Sequence, residues 1–129
     1  MTLLRYAIIV VANLACLTGC GPDAGTRLTF NGGELYYTSS VTQAEANKLG
    51  RYLVSEGFFN GNMKTVQLNK AGSTYEFRMV IKKGLEKDEE FIQIAKQMCV
   101  ELEQLFGGRD VDIHLCDENL TTLRVIVTY

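Results

Sequence analysis

From Leu28 onward the spacing of apolar residues alternates between a period of two and a period of about 3.6, and each change of period marks a change of element. Leu28-Thr29-Phe30, the punctuation Asn31-Gly32-Gly33 and Glu34-Leu35-Tyr36-Tyr37-Thr38 read as one extended region with a turn or bulge at the glycines, which tolerate positive φ. Thr42 and Glu45 have the spacing of a capping box, so a helix is expected to start there. Ala46, Leu49, Gly50 and Leu53 share one face of it, and Gly57 supplies a left-handed stop. Val66 and Leu68 then alternate with Thr65 and Gln67. After the turn composition of Asn69-Lys70-Ala71-Gly72, the residues Tyr75, Phe77, Met79 and Ile81 alternate with Glu76, Arg78, Val80 and Lys82, which predicts a hairpin with one apolar face. Asp88 can cap a second helix carrying the stripe Phe91, Ala95, Met98, Leu102 and Leu105, ended by Gly107-Gly108. Val111, Ile113 and Leu115 make another alternating strand. Asp117-Glu118-Asn119 turns it into a last strand over residues 123–127.

The predicted order is β-α-β-β-α-β-β. Strands with one apolar face and two amphipathic helices favour an α+β two-layer sandwich, with a mostly antiparallel sheet and both helices on one side. The core order βαββαβ is that of the split βαβ, ferredoxin-like arrangement, here with an extra C-terminal strand. Residues 28–129 are expected to form this single domain, and a chain of that size buries a sufficient core without crosslinks.

Ahead of the domain the pattern is different. A start holding one charge, Arg5, precedes the apolar run from Ala7 to Leu17, and Thr18-Gly19 leads to Cys20. The run is about a dozen residues against the roughly 20 needed to span a bilayer, so an export signal over residues 1–19 is expected rather than a permanent transmembrane helix. Leu17-Thr18-Gly19-Cys20 resembles the lipobox of bacterial prolipoproteins. The resemblance implies cleavage before Cys20, diacylglycerol on its thiol and acylation of the freed amine. Cys16 is the poorer candidate, because Asn13 then stands where Leu17 stands for Cys20. Residues 20–27 become the lipidated cysteine and a short linker. In Gram-negative hosts an Asp after the lipidated cysteine retains such proteins in the inner membrane, and Gly21 stands there instead, so the resemblance implies an outer-membrane destination in such a host.

The chain has 129 residues, 13 basic against 15 acidic, and 47% hydrophobic residues. A nearly balanced, slightly negative charge gives no electrostatic reason to expect a nucleic-acid partner. Loss of residues 1–19 removes Arg5 and no acid, leaving 12 basic against 15 acidic residues, a net of −3 that argues against adhesion to anionic lipid by charge.

Of the four cysteines only Cys99 and Cys116 belong to the domain. Alternation places Cys116 on the sheet face away from the helices and Cys99 at the edge of the second helix's buried stripe, so free thiols are expected. Asp112, His114 and Cys116 alternate along one strand face and are metal-ligand types, but same-face neighbours stand about 7 Å apart, too far to close easily on one ion. No metal and no cofactor are expected: the glycine clusters lack G-x-G-x-x-G or P-loop spacing, and no G-x-S-x-G elbow is present.

The sheet face opposite the helices is predicted to carry Glu76, Arg78, Val80, Lys82, Asp112, His114, Cys116, Arg124 and Ile126, with Arg78, His114, Arg124 and Ile126 as the candidate binding surface. The expected protein is thus a lipid-anchored envelope protein, attached to the membrane at Cys20, facing the periplasm or the exterior. Its domain is read as a noncatalytic interaction or structural module for an envelope protein or cell-wall partner. A small hydrolase or thiol enzyme using His114 and Cys116, and a periplasmic small-ligand binder, are the alternatives.

Overall fold

The computed structural model describes residues 24–128. The apolar run, the Leu17-Thr18-Gly19-Cys20 motif and Cys20 itself lie outside the described residues. Eight regular elements follow in the order β1 (Thr26–Phe30), β2 (Gly33–Tyr37), α1 (Gln43–Ser55), β3 (Thr65–Ala71), β4 (Thr74–Val80), α2 (Glu89–Leu105), β5 (Val111–Cys116) and β6 (Thr122–Ile126), with one 3₁₀ turn at Leu85–Lys87. The fold is α+β, a six-stranded mixed sheet with two helices.

Two features of the predicted fold are corrected. The first extended region is two strands, because Asn31 (φ 45°) and Gly32 (φ 87°) both adopt positive φ and reverse the chain, pairing Phe30 with Gly33 and Thr26 with Tyr37. The sheet is also not split. Its spatial order is β1-β2-β3-β4-β5-β6, and the strands joined by each helix, β2 with β3 and β4 with β5, are direct parallel neighbours. A ferredoxin-like sheet places another strand between such partners. Only the short connections give antiparallel pairs, β1–β2, β3–β4 and β5–β6, as expected when a crossover long enough to hold a helix permits parallel pairing and a tight turn does not.

The helix starts follow the sequence closely. The Thr42 hydroxyl accepts from the Glu45 backbone N–H at 3.1 Å and Glu45 Oε1 accepts from the Thr42 N–H at 2.8 Å, satisfying two groups that a helix start leaves unpaired. Asp88 accepts from Glu90 and Phe91 N–H groups at the start of α2. On α2 the buried line is Ile92, Ala95, Cys99 and Leu102, with Phe91, Met98 and Leu105 flanking it. The expected stripe is therefore rotated, and Cys99 sits at its centre, fully buried.

Cross-strand register defines the core face. Leu35, Val66, Met79 and Leu115 fall in one row across β2 to β5, and Leu68, Phe77, Ile113 and Ile126 fall in the next. Both rows join Leu49 and Leu53 of α1 and Ala95 and Leu102 of α2 in one apolar cluster, so both helices cover the same side. Gly50 permits the close approach of α1 to β1, since a Cβ there would lie 2.2 Å from the Phe30 ring.

Candidate functional site: the face opposite the helices

Side chains that alternate with the core residues form a polar row across the sheet. By register Arg27, Tyr36, Gln67, Arg78, His114 and Val125 are successive members, one from each strand. Arg78 and His114 are therefore neighbours on this face, as the alternation of β4 and β5 requires. Arg124 and Ile126 are not with them. Ile126 pairs with Ile113 and is 3% exposed in the core, while Arg124 pairs with Leu115 and donates to the Glu86 carbonyl at 3.2 Å. They belong to the helix-covered side. The residues of β6 that face the open side are Val125, opposite His114, and Thr122, opposite Cys116.

The centre of this row is a closed hydrogen-bond network. Arg78 Nη2 donates to the Leu120 carbonyl and the Thr122 hydroxyl, both at 2.9 Å, and Nη1 lies 3.3 Å from His114 Nδ1. His114 Nδ1 is also 2.9 Å from Thr122 Oγ1. A guanidinium only donates, so Nδ1 must accept, which places the imidazole proton on Nε2 and lets the Thr122 hydroxyl accept from Arg78 while donating to Nδ1. Burial and the adjacent Arg78 charge both push the His114 pKa below its ordinary value. Glu76 stands 3.9 Å from Arg78, and burial raises the pKa of Asp112. Alternation does not reveal Thr122. A register shift at Leu115/Cys116 brings it onto the open side, and Leu120, at φ 62°, folds the β5–β6 turn back so that its carbonyl reaches Arg78.

Gln67 is similarly engaged. It is 7% exposed, and its Nε2 donates at 3.0 Å to the carbonyl of Ala24, itself 6% exposed. The chain thus enters the domain across the open face, over β2 to β3, before turning at Gly25 into β1. Gly25 has φ 99°, and a Cβ there would stand 2.1 Å from the Tyr37 carbonyl oxygen.

Residues 27–126 match the model of the AF_1994_N family, described as a family N-terminal domain. The chain belongs to that family. The match covers every strand from β2 to β6, both helices and all but the first residue of β1, so the AF_1994_N domain and the fold described above coincide. No curated protein and no solved structure gives a significant match.

The two thiols of the AF_1994_N domain are free and buried. Cys99 Sγ donates to the Val111 carbonyl at 2.9 Å, and burial, with Glu103 and Asp112 nearby, pushes its pKa to about 12. Cys116 lies on the open side of β5, fully buried, with Sγ 3.4 Å from the His114 carbonyl oxygen rather than its imidazole. Burial raises its pKa as well. Both are neutral thiols at physiological pH. Among the described residues, no group of three or more His, Cys, Asp or Glu side chains is placed to hold a metal ion.

On the other side of the molecule α1 and α2 leave a groove between them of about 320 Å³, lined by Tyr52, Phe58, Ile94, Met98, Glu56 and Glu101 among others. The Tyr52 hydroxyl donates to Glu101 across it, and burial together with that carboxylate raises the tyrosine pKa. A tyrosine and a glutamate 49 positions apart carry no joint signal in the sequence, so only the assembled fold brings this pair together.

The His114 network makes stability depend on pH. A folded pKa below the unfolded value near 6.5 means that the unfolded chain binds more protons in that window, so stability is full above pH 6.5 and falls as the pH drops toward the folded pKa. Glu45 adds a second loss. Burial acts to raise its pKa, but the Thr42 N–H and hydroxyl, the Tyr75 hydroxyl and Lys70 outweigh it and hold it at about 2, so its contribution disappears between pH 4.5 and 2. Melting temperature measured from pH 8 to pH 3 should fall in two steps. His114→Gln should remove the upper step and leave the lower one.

Proposed function

We propose that the protein is a lipid-anchored envelope protein whose AF_1994_N domain is a noncatalytic module that meets an envelope or cell-wall partner. The anchoring half rests on Leu17-Thr18-Gly19-Cys20 and on the absence of any acid that would oppose export before Cys20. The noncatalytic half rests on one observation: His114 and Cys116, the pair that a thiol or hydrolytic reaction would need, are spent on the fold. The histidine's acceptor nitrogen is used by Arg78 and Thr122, and the cysteine is buried, protonated and turned to a backbone carbonyl. Reactive cysteines need thiolate character and access, and Cys116 has neither.

The distinguishing measurement is alkylation of the native protein in mild detergent at pH 7.5. Cys99 and Cys116 should stay unlabelled by iodoacetamide for as long as the fold persists and react together once it is denatured. Selective, rapid labelling of Cys116 in the native protein would support the thiol enzyme instead. The small-ligand reading is favoured by a separate observation, the groove between α1 and α2, whose volume lies at the lower end of the range for small-molecule sites, roughly 300–1,000 Å³.

A further inference from the structure

We infer that the protein turns the open face of its sheet toward the bilayer and its helical layer away from it, so that the partner of the open face is the lipid surface itself. The inference rests on lipidation of Cys20 as proposed above, and adds to it the point where the chain enters the fold. Ala24 is buried against the open face, with its carbonyl held by Gln67 of β3. β3 is two strands in from the β1 edge, a distance of about 10 Å at ordinary strand spacing. The tether therefore leaves the domain from within the open face and not from the sheet's rim. Cys20 stands four residues before Ala24, and four residues extend to at most about 14 Å.

That length decides which side can reach lipid. The helices lie on the far side of the sheet, and a helix with its side chains is about 10–12 Å across. A path from Ala24 to the outer surface of α1 or α2 must pass around the sheet and across that thickness, which exceeds the tether. With acyl chains at Cys20 inserted in the bilayer, the open face is the one of the two sheet faces within reach.

The open face also suits a nearby membrane without adhering to it by charge. Its strand residues carry Arg27 and Arg78 against Glu34, Glu76 and Asp112, with Arg27 paired to Glu34 at 3.0 Å. Val125 is 45% exposed on the same side, apolar surface that an interfacial position accommodates. The orientation is set by the tether and by apolar contact, and is therefore insensitive to salt. The α1–α2 groove, with Ile94 64% exposed beside it, is left facing away from the bilayer, where a partner can reach it.

The test uses the full-length, acylated protein reconstituted in phosphatidylcholine vesicles that carry a headgroup-attached nitroxide quencher. A thiol-reactive fluorophore is placed at Thr29→Cys or Val125→Cys on the open side, and at Lys48→Cys or Ile94→Cys on the helical side, with the wild-type chain as the labelling blank. All four native residues are exposed, and two positions per face guard against one variant that misfolds. Quenching at positions 29 and 125 should exceed that at 48 and 94 by at least about threefold and should not change when salt is raised or anionic lipid is added. Equal quenching on both faces, or the reverse order, in a protein whose mass shows the acyl chains would overturn the orientation and leave the lipid anchor standing. A mature protein without acyl chains would overturn both.

Discussion

The Cys20→Ala precursor is expected to incorporate no palmitate and to retain residues 1–19. On the lipid-anchored reading proposed above the effect is all or none, because the Cys20 thiol would take the diacylglycerol and alanine offers no nucleophile in its place. The lipobox resemblance places the cut directly before that cysteine, so the variant chain is expected at precursor mass. Each buried methylene contributes about 0.8 kcal/mol, so two or three acyl chains hold a protein on a bilayer indefinitely on the time scale of a cell. Membrane fractionation alone is a poor readout, since the uncut apolar run from Ala7 to Leu17 can itself hold the precursor at the membrane. The measurement is therefore metabolic palmitate labelling together with the mass of the purified chain. Cys16→Ser should label like the wild type. Palmitate on the Cys20→Ala chain, or loss of label in Cys16→Ser alone, would move the anchor to the other cysteine.

Phe59→Ala should destabilise the domain by about 3–5 kcal/mol, the loss expected for a fully buried phenylalanine. Phe59 is fully buried between α1 and β3, with its ring centroid 6.2 Å from that of Phe30, in a parallel arrangement, and 5.5 Å from that of Phe58, edge to face. Its ring rests directly on Gly33, where a Cβ would meet it at 2.2 Å. The backbone is also pinned there, the Phe59 N–H donating to Leu53 and its carbonyl accepting from Asn31. A site held on three sides cannot collapse to fill the gap, so the cavity term adds to the lost transfer energy. Domains of this kind have a total stability of about 5–15 kcal/mol, and the melting temperature should fall by more than about 10 °C. Met63→Ala, at a position 70% exposed, should change it by less than about 0.5 kcal/mol. Urea unfolding of both variants checks the pair, and a loss below about 1.5 kcal/mol for Phe59→Ala would mean that the cluster repacks.

Local chemistry was legible wherever it needed only neighbours in sequence. The Thr42/Glu45 box and the Asp88 cap lie within four residues of the groups they satisfy, and both helices begin where those residues stand. The alternation of Tyr75, Phe77 and Met79, and of Val111, Ile113 and Leu115, put their core faces on the right side because the intervening residues are polar or, at Cys116, lie past the run. β6 lacks that contrast. Leu123, Val125 and Val127 compete with Ile126 for the apolar phase, and only pairing of Ile126 with Ile113, past the register shift at Leu115/Cys116, decides that Ile126 is buried and Val125 exposed.

By itself the sequence determined the element types, the helix starts and which residues of β3 to β5 face the core, since periodicity and capping act over a few residues. Tertiary structure alone decided the rest. Nothing local distinguishes a helix that joins adjacent parallel strands from one that skips a strand, so the sequential order β1 to β6 emerged only from the assembled sheet. The closed network of Arg78, His114, Thr122 and the Leu120 carbonyl likewise joins residues up to 44 positions apart, and Ala24 reaches Gln67 across 43. Such contacts depend on where the strands stand relative to one another, and that placement is set by the shared core rather than by any short stretch of chain.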